Sequence, residues 1–125
     1  MELLILPLLF VSVLTEDKLY FSKTNKGPHI VRHSFFSNQF RIGYKLKLFC
    51  EAQGHPLPAI VWYKAGKEIS PQHRITVFEE RFSSHVASRL QIDLTRVTDA
   101  GEYECVAEND KGANVRKFKA QYILK

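Results

Sequence analysis

An all-β sandwich of two antiparallel sheets is the fold class that three features of the chain predict. The two cysteines, Cys50 and Cys105, stand 55 positions apart; the lone tryptophan, Trp62, follows the first by twelve residues, and Tyr103 precedes the second by two. Apolar and polar residues alternate in short runs with the period of a half-buried strand. Turn residues interrupt those runs every ~8–12 positions, as a sandwich of short strands requires. If each cysteine lies mid-strand in a different sheet, a disulfide staples the two sheets. Trp62, on a neighbouring strand, then packs its ring on the bridge. Tyr103 faces the same way as Cys105, because side chains two apart in a strand share a face, so its hydroxyl can reach backbone at the sheet edge. In a reducing compartment the two cysteines would be buried thiols, whereas in a secretory one they should pair.

The first fifteen residues set the compartment. Residues 3–14 (LLILPLLFVSVL) are apolar except for Ser12, and Glu16 and Asp17 end the run. Such a run is too short for a membrane span, which needs ~20 residues. It suits the apolar region of a signal peptide, with Val13 and Thr15 at the cleavage site, although Glu2 and no Lys or Arg precedes it. The expected organisation is a signal peptide at 1–15, a flexible polar arm at 16–27 and one sandwich domain at 28–125. No second apolar run follows, so the expected product is secreted and extracellular, with no membrane span.

Residues 28–32 (PHIVR) read as a first edge strand, where proline is tolerated at the start. Residues 34–40 (SFFSNQF) carry three phenylalanines, Phe35, Phe36 and Phe40. They are expected to pack against the sandwich edge, the alternative being an exposed patch that contacts a partner. Gly43 turns the chain into an alternating strand with Tyr44, Leu46, Leu48, Cys50 and Ala52 inward and Lys45, Lys47, Phe49 and Glu51 outward. Pro56 and Pro58 make a turn, since neither donates to a ladder. Ile60 and Trp62 then point inward, with Val61 and Tyr63 outward. After turns at 65–67 and 70–72, residues 74–79 form a strand with Ile75 and Val77 inward, and 80–84 a polar hairpin loop. Leu90, Ile92 and Leu94 line the next strand. Asp99, Ala100 and Gly101 turn the chain into the strand of Tyr103, Cys105 and Ala107. Residues 109–112 are a hairpin connection, and Phe118, Ala120 and Tyr122 supply the last inward stripe.

A hydrophobic content of 45% with 25% charged residues is that of a globular chain and excludes wholesale disorder. The formal net charge is +5; the leader holds only Glu2, so its removal leaves +6. For a secreted protein this balance favours acidic surfaces such as sulfated glycans over nucleic acid. Among His29, His33, His55, His73 and His85, no pair has metal-ligand spacing with a cysteine. No nucleophile elbow, phosphate-cradling glycine loop or HExxH occurs. Neither an enzyme nor a metal or cofactor protein is expected. Asn25, Asn38, Asn109 and Asn114 all lack the third-position Ser or Thr of a glycosylation sequon.

Taken together, these motifs resemble the I-set immunoglobulin domains. Gly54, Pro56, Pro58, Ile60 and Trp62 at alternate positions are similar to that family's loop and strand around its core tryptophan. Leu90 and Ile92, then Asp99-Ala100-Gly101, Tyr103, Cys105, Ala107, Asn109 and Gly112, are similar to its later strands. Gly43, seven residues before Cys50, matches the turn into its cysteine strand. The chain departs from the pattern at Thr95, where an apolar residue is usual, and in the aromatic stretch 34–40. The resemblance, which spans residues 28–124, implies an inter-sheet disulfide sandwich and extracellular recognition. A leader with one such domain is similar to the small secreted immunoglobulin proteins of nervous tissue; some of that kind have two domains, and some such proteins bind insulin-like peptides.

The expected binding face is the outer side of the sheet that holds Tyr103 and Cys105. Glu102, Glu104 and Val106 point outward there, opposite Arg116 or Lys117 and Lys119, with Val61 and Tyr63 extending the surface. Cross-strand charge pairs would stabilise such a face by only ~0.2–1 kcal/mol each. Three functions follow: a module binding an extracellular or cell-surface protein, homophilic pairing included; a soluble carrier or antagonist of an insulin-like or other peptide; and a heparan-sulfate-binding matrix component using Lys45, Lys47, Lys117 and Lys119. Arg74 and Asp99 are expected at one pole as a structural ion pair, since a planar guanidinium holds a carboxylate bidentately.

Overall fold

The structure, a computed structural model, describes residues 27–124; the expected leader, and the arm up to residue 26, lie outside the described residues. Among the described residues nine strands form: β1 His29–His33, β2 Ser37–Arg41, β3 Lys45–Gln53, β4 Ala59–Lys64, β5 Lys67–Glu68, β6 Ile75–Arg81, β7 His85–Asp93, β8 Gly101–Asn109 and β9 Gly112–Ile123, with a 3-10 turn at Val97–Asp99. They make two sheets, ordered β1-β3-β7-β6 and β2-β9-β8-β4-β5. All pairings are antiparallel except β2 with β9.

The alternation that predicts the strands also builds the core. Leu46, Leu48, Cys50 and Ala52 of β3 and Val86, Leu90 and Ile92 of β7 face Ile60 and Trp62 of β4, Tyr103, Cys105 and Ala107 of β8, and Phe118 and Ala120 of β9. Cys50 and Cys105 are bridged, with Cα atoms 6.6 Å apart. Trp62 lies opposite Cys105 in the β4–β8 ladder. Its indole N–H crosses the core to donate to the Ser88 hydroxyl at 2.9 Å, and Ser88 lies opposite Cys50 on β3. A buried indole needs such a partner. Ser88 supplies it from an inward position of an otherwise apolar strand face.

The N-terminal stretch serves both sheets. β1 pairs with β3, the chain crosses the edge at 34–36, and β2 pairs with β9. Ser34 fixes the crossing: its N–H donates to the Phe49 carbonyl at 3.1 Å, and its hydroxyl accepts from the Phe49 N–H at 2.9 Å. This crossing corrects the expectation for the three phenylalanines. Phe40, inward on β2, is buried, but Phe35 and Phe36 are 86% and 63% exposed, because they lie in the connection, where neither ladder turns them inward.

Three further inward assignments are corrected at strand ends. Tyr44 is exposed, because β3 begins one residue later and Tyr44 sits in the Gly43 turn (φ +88° at the glycine), its ring beside the Arg41 guanidinium at 5.0 Å. Leu94 lies past the end of β7 and is exposed, while Thr95 is buried in its place. The Thr95 hydroxyl donates to the Arg41 carbonyl at 2.8 Å, so the polar residue joins two loops where an apolar one would only fill space. Tyr122 overhangs the sandwich end and is partly exposed. The loop expected at 80–84 is shorter, because β6 continues to Arg81 along β7.

Two stability measurements follow. Ser88→Ala leaves the indole N–H unpaired in the core and should lower the unfolding free energy by about 1–3 kcal/mol, read by urea denaturation; an unchanged midpoint would mean that the bond contributes nothing. Trp62→Ala should cost about 3–5 kcal/mol, and a variant that melts with the parent would contradict the packing described above.

Candidate functional site

The outer face of the five-stranded sheet is set by one short hairpin. Only Asp110 and Lys111 separate β8 from β9, and the closing pair Asn109–Gly112 fixes every pair behind it. Glu102 lies opposite Lys119, Glu104 opposite Lys117 and Val106 opposite Val115. On the other side of β8, Val61 lies opposite Val106 and Tyr63 opposite Glu104. Directly opposed residues in a sheet project from the same face, so Val115, Val106 and Val61 form an apolar row across three strands. Tyr63 stands in the next row beside the Glu104–Lys117 pair.

Val61, Tyr63, Glu104, Val106 and Val115 are half-buried, while Glu102, Lys117 and Lys119 are exposed. The Lys117 ammonium is 3.9 Å from the Glu104 carboxylate, a loose surface pair that stabilises little and remains available to a partner. The register decides between Arg116 and Lys117. Arg116 lies opposite Cys105, on the inward side, and its guanidinium turns back to the Val115 carbonyl at 3.0 Å. The sequence reading did not include Val115, although counting outward from the two-residue hairpin finds it. Glycan recognition through four lysines meets a geometric obstacle. Lys45 and Lys47 project from β3 on the outer face of the other sheet, so they do not converge with Lys117 and Lys119.

One pole of this face is locked by a buried polar knot. Arg74 reaches Asp99 with both terminal nitrogens, Nη1 to Oδ2 at 2.9 Å and Nη2 to Oδ1 at 3.3 Å. Nη1 also donates to the Leu94 carbonyl at 2.8 Å. The Arg96 N–H donates to Asp99 Oδ2 at 2.7 Å, and the Tyr103 hydroxyl donates to the Asp99 carbonyl at 2.5 Å. The Asp99 side chain is 7% exposed and that of Arg74 19%. Burial pushes the Asp99 carboxyl up, but the hydrogen bonds from Arg74 and Arg96, with the nearby charges of Arg74 and Lys64, outweigh it and hold the carboxyl below its ordinary range. The hydrogen bond to Asp99 raises Arg74 in turn, and burial, with the Asp99 charge, raises Tyr103. The knot ties the chain before β6 to the turn that starts β8, which carries Glu102 and Glu104.

A disulfide-stapled sandwich with a locked corner and an outer sheet face of mixed apolar and charged residues is an immunoglobulin-type binding module. Residues 28–121 match the immunoglobulin I-set domain, and the chain belongs to that family, whose members are in general binding modules and not catalysts. It is 51% identical over 110 residues to the immunoglobulin domain-containing protein oig-1 of Caenorhabditis elegans, covering 86% of this chain and 78% of that one. It is 40% identical over 99 residues to oig-4 of the same organism, covering 78% of this chain and 64% of that one. Among solved structures, the N-terminal Ig1-2 module of the Drosophila receptor protein tyrosine phosphatase DLAR superposes with a TM-score of 0.68 at 33% identity, covering 78% of this chain and 50% of that one.

The lowered Asp99 carboxyl gives a pH dependence with a definite sign. The folded protein binds this proton less readily than the unfolded chain, so the stability it contributes is complete above the ordinary value of 3.8 and is lost as pH falls through the lower folded value. Between roughly pH 5 and pH 2, stability should fall more steeply in the parent than in Asp99→Asn. At neutral pH, breaking the pair with Arg74→Met or Asp99→Asn should cost about 3–5 kcal/mol. The double variant should reveal a coupling; none would mean the two side chains act independently.

Proposed function

We propose that the chain is a secreted, extracellular recognition module that docks another extracellular or cell-surface protein through the outer face of β4, β8 and β9. The observation that carries this reading is the apolar row Val61–Val106–Val115, open beside the Tyr63 ring and flanked by exposed charges of both signs. Aromatic and aliphatic residues at the centre of a patch with a polar rim are the usual anatomy of a protein interface, and Tyr63 is of the type that anchors binding energy. Family membership supports protein binding, and the resemblance to small neural immunoglobulin proteins supports a setting in nervous tissue. The two lysines of the face, Lys117 and Lys119, are too few to track a sulfated chain, so the glycan reading is not favoured.

The test is a binding comparison with extracellular extract, read by mass spectrometry, between the parent and a Val106→Asp variant that puts a charge in the apolar row. A specific partner should be captured by the parent and lost from the variant at unchanged melting temperature. Retention of every captured protein by the variant would remove this face from the account.

A further inference from the structure

The outer face of the other sheet is open as well, and its register gives it a property of its own. Reading across β1, β3, β7 and β6, the ladders align Lys45 with Asp93, Phe49 with Arg89 and Phe78, and Arg32 with Glu51, Ala87 and Glu80. The small Ala87 leaves a depression of about 380 Å³ between Phe49, Phe78 and Arg89, with Arg32 on one side and Glu80 on the other. Phe49 and Phe78 both remain partly exposed, and the Arg89 guanidinium lies 4.3 Å from the Phe78 ring centre. The same chain presents two aromatic rings with nothing packed over them. Phe35 follows Ser34, which is hydrogen-bonded to Phe49, so it stands at the β1 edge level with the depression, and Phe36 is the next residue along the crossing toward β9. Their backbone is held: Asn38 Nδ2 donates to the Phe35 carbonyl at 2.8 Å and the Lys119 N–H to that of Phe36 at 2.6 Å. Soluble monomers rarely leave large apolar groups open in this way, and a fixed backbone lowers the entropy lost on docking them.

From this arrangement we infer that the β1-β3-β7-β6 face is a self-association surface whose occupant is a second copy of the same chain. A two-fold axis parallel to the strands and midway between β3 and β7 lays β1 of one copy over β6 of the other, and β3 over β7. Every contact then occurs twice, as an isologous interface requires. Arg32 meets Glu80 of the second copy, Lys45 meets its Asp93, Phe49 meets its Arg89, and the Phe35–Phe36 edge comes to the Phe78 side of its depression. Arg32 and Glu80 lie on opposite edge strands of one sheet, so their complementarity is not a by-product of cross-strand pairing. Strands of five, nine, nine and seven residues, ~3.4 Å per residue and ~4.8 Å apart, give roughly 1,000 Å² over two copies. That area is at the low end for specific association and fits a weak, reversible dimer. The surface is separate from the β4, β8 and β9 face, so one copy can hold its twin and a different partner together.

Light scattering and sedimentation equilibrium on the full secreted chain, from roughly 1 µM to 1 mM, test the inference. The parent should dimerise reversibly. Phe35→Ser with Phe36→Ser should raise the dissociation constant at least about tenfold at unchanged melting temperature, both residues being exposed. Arg32→Glu alone, or Glu80→Arg alone, should also lose the homodimer, because each sets like charges opposite one another. Mixed in equal amounts, these two variants should form a heterodimer. Val106→Asp should leave the dimer intact, which separates this surface from the face of the proposed function. A parent that stays monomeric throughout the range overturns the inference, whether the chain's own earlier residues or another protein cover the face. So does a dimer that tolerates the aromatic substitutions, one abolished by Val106→Asp, or a charge-swapped pair that fails to combine.

Discussion

The structure depends on one constraint: the two sheets must meet at a fixed level, and the disulfide with the Trp62–Ser88 bond sets it. Cys50 and Cys105 join the central strands β3 and β8, while the indole spans the same layer from β4 to β7. Four strands, two from each sheet, are tied within one layer of the core. A covalent link fixes separation but leaves the sheets free to slide in small steps. A hydrogen bond made in a dry interior adds direction, because a misaligned indole N–H would go unpaired at the cost of its desolvation. Phe118 packs against the tryptophan with ring centres 6.0 Å apart, which brings β9 into the same layer.

Polar groups, and not apolar ones, close the ends of this core. Asp99 at one pole gathers Arg74, the Arg96 N–H and the next strand's tyrosine around a single turn. Thr95 ties two loops beside it. Toward the other end, the buried Asn114 accepts the Ile30 N–H at 2.8 Å and joins β9 to β1 across the two sheets. Among the described residues, no buried side-chain nitrogen or oxygen is left without a partner. This is what allows charged and amide groups to sit so deep. Because the poles are held by directional bonds, both outer faces keep their register without help from their own side chains, and those side chains are left for recognition.

The two faces differ in how apolar surface is offered. On β4, β8 and β9 it is a flat valine row in the sheet itself, while on the other sheet it is a dimple in one place and a pair of rings in another. A flat row accepts many shapes and relies on its charged rim for selectivity. Separated knob and hollow demand a particular geometry from whatever meets them. The origin of the second pattern is the crossing at residues 34–36. Since β1 and β2 belong to different sheets, Ser34, Phe35 and Phe36 cross between them; Ser34 is still bonded to β3 and Phe36 already to β9, and the bulky side chains of Phe35 and Phe36 are left exposed.

The sequence by itself determined the sandwich, its core stripe and its staple. Those features follow from a period of two, from turn residues at fixed intervals and from cysteines at compatible parity, all of them local properties. It also placed Arg74 near Asp99 and set Glu102, Glu104 and Val106 outward, since parity within a strand is independent of what the strand packs against. Strand ends escaped it. Tyr44, Leu94 and Tyr122 continue the inward parity in sequence, but Tyr44 precedes β3, Leu94 follows β7 and Tyr122 of β9 lies beyond its pairing with β8, and where a pairing ends is decided by the neighbouring strand's length. Only the tertiary structure decided the partner of the Trp62 indole, the exposure of Phe35 and Phe36, the choice of Lys117 over Arg116, and the separation of the four lysines onto opposite faces. Each of these depends on which strands lie side by side and in what register, and register is a relation between distant segments that local periodicity does not encode.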